Sequence, residues 1–232
     1  NPTEAVAVVL NYITAYQMLH RAAKARPGQR MLIHGASGGV GSAMLQLAKL
    51  TGIEMYGTCS AQGAGVVQEM GGIPIDYKKA DFVKEIHRLT GDGVDAVFDG
   101  IGGENLWRSR EALREGGRVV TYGFQSKMRG GRVASGSGGR HPIRESAELG
   151  GFIIRNWFRS GRKSMVPYSI QWLMRFRPAW FRHDLQTLLD LLKQGKISPL
   201  IAQRLPLEEA RRAHEMLGEG GVLGKIVLLP HG

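Results

Sequence analysis

A glycine-rich heptad between two apolar segments is the part of this sequence whose residue types and spacing point most directly to chemistry. The heptad is Gly35-Ala-Ser-Gly-Gly-Val-Gly41; the short apolar run Met31 to His34 precedes it, and apolar residues recur at helical spacing from Val40 onward. Glycine permits a tight turn, and the main-chain N–H groups and helix N-terminus after a strand attract anions. The arrangement predicts a site for the diphosphate of a dinucleotide. The alternative is that the glycines only allow a helix to pack closely against the sheet.

The end of the second predicted strand indicates which dinucleotide is bound. No acidic residue occurs between Glu54 and Glu69, whereas a free ribose 2′-hydroxyl is usually met by Asp or Glu about twenty residues past the loop. A carboxylate there would repel a 2′-phosphate, so its absence favours NADP(H) over NAD(H). Ser60 is the natural hydroxyl donor, and Lys78 and Lys79 are the nearest cations in sequence.

Metal and nucleophilic chemistry find little support in the residue pattern. The chain has seven His and one Cys, with no His-x-x-x-His or Cys-x-x-Cys pair, so we expect no metal site. His34, which ends the first strand, and His87, on a helix, are interpreted as structural. No Ser-His-acid order stands out, no general acid is identified, and the catalytic residues stay unassigned.

The elements that would position the loop follow a βα alternation, which predicts an α/β fold with a doubly wound parallel sheet of the Rossmann type. A closed eight-fold barrel would need more units than the chain supplies. The predicted strands are Met31–His34, Ile53–Thr58, Ile73–Ile75, Val94–Phe98, Gly117–Tyr122 and Lys225–Leu229, with a further extended stretch at Ile197–Leu205. The predicted helices start near Val40 and span 66–70, 80–89, 104–114 and 207–217, and the Leu185, Leu188, Leu189 and Leu192 stripe marks one more.

Composition and charge narrow the function classes. The 232 residues suffice for one large domain or two small ones, and a single cysteine excludes an intrachain disulfide and favours a cytoplasmic setting. No run of 18 apolar residues and no signal peptide occur, and an opening Asn1 in place of Met suggests a piece of a longer protein. Residues 127–182 carry twelve Lys or Arg and two acids, a net charge of +10 out of +11.

This basic, aromatic-rich segment has two interpretations. It is either a solvated helical insertion whose aromatic side chains fill a local core or a subunit contact, or a footprint for a membrane surface or nucleic acid. No nucleic-acid-binding motif accompanies it, so no nucleic-acid partner is expected. Its Gly/Ser-rich stretch from Arg129 to Arg140 is predicted to be a mobile loop.

Five motifs in order along the chain resemble those of the zinc-independent medium-chain dehydrogenase/reductases, quinone oxidoreductase branch, including the VAT-1-like proteins. The motifs are Asn11-Tyr-Ile-Thr-Ala-Tyr16, Gly35 to Gly41, Phe98-Asp-Gly-Ile-Gly-Gly103, Gly117-Arg-Val-Val-Thr-Tyr-Gly-Phe124 and Gly224-Lys225-Ile-Val-Leu. The resemblance implies NADPH-dependent hydride transfer to a quinone or another electrophilic C=C or carbonyl substrate, and a homodimer paired through sheet edges. The stretch near Met165 to Ile170 is the predicted edge strand.

The resemblance also implies cofactor-binding residues. Thr14 and the backbone of Gly123 and Phe124 would lie at the nicotinamide, Ser60 and Tyr77 would hold the adenosine ribose and its 2′-phosphate, and Lys225 matches the terminal Gly-Lys motif. The diphosphate loop would be formed by Ser37, Gly38, Gly39 and Val40.

Two departures from the family pattern stand out. Gly63 replaces a Lys that often binds the 2′-phosphate, and the family's N-terminal GroES-like substrate domain is absent. The sequence therefore predicts a dinucleotide-binding domain at 1–195, with the basic insertion at about 127–182, and a C-terminal return segment of the substrate domain at 196–232.

Three function hypotheses follow. The first is an NADP(H)-dependent oxidoreductase of the quinone reductase type. The second is a nucleotide-binding module or fragment without catalysis of its own, and the third is a peripheral membrane or nucleic-acid binder that uses residues 127–182.

Overall fold

The computed structural model of the chain describes residues 1–122 and 163–230. The strands are β1 (Arg30–His34), β2 (Glu54–Cys59), β3 (Ile73–Asp76), β4 (Val94–Asp99), β5 (Leu113–Thr121), β6 (Ser164–Pro167), β7 (Ile201–Pro206) and β8 (Lys225–Leu229). The α-helices are α1 (Pro2–Gln17), α2 (Gly39–Thr51), α3 (Ala64–Glu69), α4 (Phe82–Thr90), α5 (Asn105–Glu111), α6 (Ile170–Phe176), α7 (Pro178–Lys193) and α8 (Ala210–Glu219). A π-helical turn (Met18–Ala22) extends α1.

The main sheet has six strands in the order β3-β2-β1-β4-β5-β6, and every pairing is parallel. The order reverses between β1 and β4, which places a ligand crevice at the carboxyl ends of these two strands. The predicted α/β doubly wound sheet of the Rossmann type is confirmed. A second, two-stranded parallel sheet pairs β7 with β8.

Two apolar layers cover the faces of the sheet. On one face α1, α2 and α7 bury side chains such as Ile13, Leu45 and Leu188 against β1, β2 and β4. On the other face α4 and α5 bury Ile86 and Leu106 against the same strands. The strands are apolar on both sides, as expected of a parallel sheet covered by helices.

Local signals explain where several helices begin and end. Asn1 accepts a hydrogen bond from the Thr3 N–H to cap α1, and Asp81 accepts from the Val83 N–H to cap α4. Gly52, in the left-handed region at φ 70°, ends α2. By contrast, Gly38 precedes α2 without any side-chain cap, which leaves the first amides of that helix without a protein partner of that kind.

Four elements differ from the sequence-based expectations. α1 and α6 were not predicted, and the helix predicted over 104–114 ends at Glu111 because β5 begins at Leu113 rather than Gly117. The pairing of β5 with β4 shifts register between Val94 and Ala96, beside Gly116 at φ 79°. That irregularity joins two short paired stretches into one strand, a feature the apolar pattern alone does not reveal.

The basic segment lies largely outside the described residues. Residues 123–162, including the predicted loop from Arg129 to Arg140, are not described, and only the end of the segment from Lys163 onward is. Across the described ranges, none of the helices combines the length and the apolar character needed to cross a bilayer.

Candidate functional site

The glycine loop turns sharply at the carboxyl end of β1. Gly35 adopts φ 69°, a conformation that favours glycine, and its carbonyl accepts a hydrogen bond from the Gly38 N–H at 3.0 Å. The Ala36 N–H donates to the Thr58 carbonyl on β2 at 2.9 Å. The first-turn N–H groups of α2, from Gly39 onward, have no carbonyl four residues earlier within the helix. They are available to an anion.

Close packing explains the last glycine of the heptad. A Cβ at Gly41 would overlap the Gly35 carbonyl oxygen and lie 2.6 Å from the Ala36 oxygen. At Gly38 the nearest atom to an added Cβ is the Gly35 oxygen, at 3.3 Å. The alternative drawn from the sequence, glycines serving only helix–sheet packing, therefore accounts for Gly41, and the exposed backbone around Gly38 remains available for a ligand.

Two distant segments reach the loop. The Asn11 side chain of α1 lies where a Cβ on Gly39 would project. From the C-terminal region, the Gly224 N–H donates to the Ser37 carbonyl at 2.8 Å, and Gly224 forms a parallel bridge with Gly38. The loop is thus held between α1 and the segment that leads into β8.

Lys225 follows directly and is half-buried. Its Nζ lies 3.4 Å from the Val6 carbonyl of α1, and burial lowers the pKa of its ammonium group. The structure therefore places Lys225 beside the loop, with its ammonium group directed at α1.

The adenosine end of the crevice is open. Ser60 and Tyr77 follow the paired ends of β2 and β3, and the Tyr77 N–H donates to the Cys59 carbonyl at 3.2 Å. Tyr77 is 52% exposed. Asp76 also ends β3, and its Oδ1 accepts from the Lys78 N–H at 3.0 Å. No acidic residue stands at the carboxyl end of β2, yet Asp76 ends the neighbouring strand β3 and contributes a carboxylate there.

Gly63 has a local reason for being glycine. A Cβ there would lie 2.6 Å from Ser37 Oγ. A larger residue at this position, such as the family's lysine, would press on the loop unless Ser37 moved. Close packing against Ser37 therefore explains why position 63 is glycine rather than the family's lysine.

The end of the crevice at which the sequence predicts the nicotinamide is closed by a network of side chains. Thr14 on α1 is 7% exposed, and a hydrogen bond from it lowers the pKa of Tyr168, which burial raises more strongly. The Tyr168 hydroxyl also donates to Gln17 Oε1 at 2.9 Å. Because the Tyr168 N–H donates to the Thr121 carbonyl at the end of β5, this tyrosine links α1 to the sheet edge.

A fully buried carboxylate, Asp184, accepts hydrogen bonds from the same network. Asp184 of α7 accepts from Gln17 Nε2 at 2.8 Å and from Arg21 Nε at 2.9 Å, and the Arg21 guanidinium lies 4.4 Å from the ring centroid of Trp180. Sequence reasoning missed this cluster. The available signal was an acidic residue one turn before Leu188, on the apolar stripe of a helix.

The switch point between β1 and β4 holds a second buried network. Asp99 ends β4 and is fully buried. Its carboxylate accepts from four donors at 2.6–2.9 Å: the N–H groups of Ile101 and Gly102, Asn105 Nδ2 and Ser109 Oγ. The motif Phe98 to Gly103 is therefore a turn wrapped around one carboxylate.

His34 lies between this carboxylate and the glycine loop. Its Nε2 is 3.0 Å from Ser109 Oγ and its Nδ1 is 3.0 Å from Thr58 Oγ1. Burial lowers the pKa of His34, and the nearby Asp99 charge only partly opposes that effect. Thr121 Oγ1, at the end of β5, is buried with no hydrogen-bond partner among the described residues.

The structure brings most of the predicted site residues to the carboxyl edge of the sheet. Gly123 and Phe124 lie outside the described residues. Within residues 1–122 and 163–230, no three His, Cys, Asp or Glu side chains converge as a metal site would require. The predicted residues found along this edge or on the helix and strand that adjoin it are Thr14, Ser37, Gly38, Gly39, Val40, Ser60, Tyr77 and Lys225.

Comparisons with known proteins agree with this architecture. The family model described as zinc-binding dehydrogenase matches residues 72–228. The rat synaptic vesicle membrane protein VAT-1 homolog is 32% identical over 98% of this chain and 55% of its own length. A 2-haloacrylate reductase of a Burkholderia species is 31% identical over 96% of this chain and 62% of its own length.

A solved structure extends the comparison. The mycobacterial protein Rv1454c complexed with NADPH superposes with a TM-score of 0.77 at 26% identity, over 99% of this chain and 65% of that one. The family model covers more than half of the chain, from β3 to β8, and so defines the class of protein to which the chain belongs. The chain belongs to the zinc-binding dehydrogenases of the medium-chain dehydrogenase/reductase family, and within that family it is VAT-1-like. It spans about half the length of the VAT-1 relatives it matches.

Proposed function

We propose that this chain is the NADP(H)-binding portion of an oxidoreductase that transfers a hydride to an electrophilic C=C, quinone or other carbonyl substrate. The observation that carries the proposal is the uncapped start of α2 at the switch point, where free N–H groups face the carboxyl edge of the sheet. The Burkholderia relative supports the substrate class, because a 2-haloacrylate contains an electrophilic C=C bond.

The residues present fit a dinucleotide. The diphosphate would lie on the loop from Ser37 to Val40, where the turn at Gly35 exposes main-chain amides. The unpartnered Thr121 hydroxyl at the end of β5 offers a hydrogen-bonding group toward the nicotinamide end. We assign the nicotinamide contacts to Thr14 and to the backbone of Gly123 and Phe124, and a further contact to Lys225.

NADP(H) is proposed over NAD(H) on the chemistry of the adenosine end. The ends of β2 and β3 present the hydroxyls of Ser60 and Tyr77, and Lys78 and Lys79 are exposed beyond them. No acid occupies the end of β2, although Asp76 ends β3. The NADPH bound by the mycobacterial relative is in line with this preference.

When bound, the nicotinamide supplies the hydride. The residues of this chain would orient it: Tyr168, beside Thr14, donates its hydroxyl proton to Gln17 Oε1, so that the Tyr168 hydroxyl has a fixed partner. Main-chain donors at the strand ends would stabilise negative charge that develops on the reduced substrate. We propose that the reaction is independent of zinc, because this sequence has a single cysteine and no His-x-x-x-His or Cys-x-x-Cys pair.

Titration separates the enzyme hypothesis from its alternatives. Calorimetric titration with NADPH and NADH is expected to show micromolar binding that is tighter for NADPH, followed by NADPH consumption with a panel of quinones and enones. Binding without turnover would leave a nucleotide-binding module. No binding of either nucleotide would overturn the proposal.

A homodimer is part of the proposal. Among the described residues, β6 at Ser164–Pro167 is the outermost strand on its side of the sheet, and this edge is the one we propose for pairing with a second copy. The predicted edge strand near Met165 to Ile170 corresponds to it. Sedimentation equilibrium of the wild type and of Val166→Pro is the test; a dimer that persists unchanged in Val166→Pro would contradict edge pairing.

A peripheral membrane contact is proposed as a second property, with a cytoplasmic setting. α6 exposes Trp172 and Phe176 at 55% and 56%, together with the cationic Arg175 and Arg177. Co-sedimentation with anionic vesicles is expected to weaken steeply with salt, and indifference to lipid charge would contradict it.

A further inference from the structure

Five groups beneath the glycine loop form one continuous hydrogen-bonded chain. The Gly35 N–H donates to Thr58 Oγ1 at 3.3 Å, Thr58 Oγ1 lies 3.0 Å from His34 Nδ1, His34 Nε2 lies 3.0 Å from Ser109 Oγ, and Ser109 Oγ donates to Asp99 Oδ2 at 2.6 Å. This hydrogen-bonded chain runs from the loop through β2, β1 and α5 to β4. It links the first amide of the loop to the buried carboxylate of the switch point.

The donors in this chain all point the same way. A carboxylate only accepts, so the single Ser109 hydroxyl proton is directed at Asp99, and Ser109 Oγ must accept from His34 Nε2–H. A neutral His34 then has a lone pair on Nδ1, which accepts the Thr58 hydroxyl proton. This leaves the lone pairs of Thr58 Oγ1 for the Gly35 N–H. One tautomer of one histidine satisfies every link.

We propose that His34, in its neutral Nε2–H tautomer, is a positioning residue that transmits the fixed orientation of Asp99 to Gly35 and so sets the geometry of the diphosphate-binding amides. The inference rests on the proposed dinucleotide site and assigns His34, Thr58 and Ser109 a role in it. Gly35 is the residue at φ 69° where the chain turns, so a fixed Gly35 N–H determines where the following amides face.

Burial lowers the pKa of His34 and so favours the neutral imidazole. The charge of Asp99 on β4 opposes this effect, whereas the charge of Arg108 on α5 adds to it; Arg108 itself pairs with Asp81 at 2.7 Å, just before α4. The edge of the Phe82 ring lies against His34, with ring centroids 4.7 Å apart. Protonation would put a donor on Nδ1 and displace the Thr58 hydroxyl proton from its acceptor.

The first test reads the tautomer directly. In a ¹⁵N-labelled full chain, long-range imidazole correlations should show His34 protonated on Nε2 alone and unchanged between about pH 7 and about pH 5, because burial lowers the pKa of His34. His34→Gln identifies the signal by its loss, and His214→Gln, at an exposed position on α8, is the matched control. An Nδ1–H tautomer, or ordinary titration of His34, would overturn the proposal.

The second test measures NADPH affinity in a double-mutant cycle. Thr58→Val removes the hydroxyl at similar volume and should weaken NADPH binding about tenfold, whereas Thr58→Ser restores the hydroxyl and should bind within about twofold of the wild type. Ser109→Ala, two links farther from the loop, should weaken binding about threefold. Because both substitutions interrupt the same hydrogen-bonded chain, the double variant should bind NADPH no more weakly than Thr58→Val does.

The outcomes separate this inference from the proposed function. Additive losses in the double variant, or equal affinities of Thr58→Val and Thr58→Ser, would overturn the positioning role even though the wild type binds NADPH. If the wild type binds no nucleotide, the proposed function fails. In that case, hydrogen exchange of the Gly35 amide tests the hydrogen-bonded chain without any ligand. Faster exchange in Ser109→Ala supports the chain, and unchanged exchange overturns it.

Discussion

The two ends of the crevice are built in opposite ways. At the adenosine end, Ser60 and Tyr77 follow strands β2 and β3, and Tyr77 is half exposed. At the end where we propose the nicotinamide, the Tyr168 hydroxyl donates to Gln17, whose side-chain amide donates in turn to the fully buried Asp184. One end is assembled from neighbouring strand termini, and the other from side chains that converge from helices distant in sequence.

The difference indicates where precision is needed. A ribose and its phosphate are bound by groups that water can also reach, so small adjustments there cost little. The ring that would deliver a hydride must be held at a defined distance and angle, and a preorganised network provides that. Substitutions at the closed end should therefore lower the free energy of unfolding. Substitutions at the open end should change only the affinity for NADPH.

The largest effect is expected for Asp184→Ala. Removal of this carboxylate leaves Gln17 and Arg21 without their shared acceptor and should lower the free energy of unfolding by about 3 kcal/mol, measured by urea denaturation. Glu215→Ala, which breaks the exposed ion pair with Arg211, is the control and should cost less than about 0.5 kcal/mol. Equal losses of stability in the two variants would contradict a structural role for the buried Asp184 carboxylate.

Gly41→Ala should come next. The new methyl group would overlap the Gly35 carbonyl, so we expect a cost of about 1–3 kcal/mol and NADPH binding weakened at least tenfold, measured by thermal denaturation and calorimetry. Gly65→Ala, on α3 with nothing within 4 Å of the added methyl group, should be neutral or slightly stabilising. A Gly41→Ala protein with wild-type affinity would contradict close packing at the loop.

Acid should destabilise the fold through His34. Burial lowers its pKa in the folded state, so below the ordinary value of 6.5 the unfolded chain takes up a proton that the folded chain excludes. The free energy of unfolding should therefore fall with decreasing pH, by up to about 1.4 kcal/mol per pH unit from this one group. Urea titrations of wild type and His34→Gln at about pH 7 and about pH 5 isolate it, because His20, whose pKa burial also lowers, is common to both. Parallel pH profiles would contradict the assignment.

The smallest effects are expected at the open end. Tyr77→Phe and Ser60→Ala each remove one hydroxyl and should weaken NADPH binding about threefold to tenfold, with the free energy of unfolding unchanged within about 0.5 kcal/mol. Calorimetry with NADPH and NADH measures both the loss and the change in preference. A large stability loss in Tyr77→Phe would show that this end is as rigid as the other.

The local pattern was enough to predict the strands and the glycine loop. β1 to β4 and β8 carry short apolar runs, and the glycines of the heptad predict the turn. Each of these signals is contained within a few consecutive residues. The closed end gave no such signal: Gln17 and Asp184 are 167 residues apart, and neither type is unusual where it stands. His34 was interpreted as structural, and its partners on β2 and α5 become visible only once the strands are in order.

The hydrogen bond from the Gly224 N–H to the Ser37 carbonyl joins two segments that are far apart in sequence. A contact of such large sequence separation forms only after a long stretch of chain has closed into a loop, which costs conformational entropy. The glycine loop therefore gains this restraint only when the segment before β8 has docked on it, so that the geometry of the loop depends on the folding of the whole stretch between them.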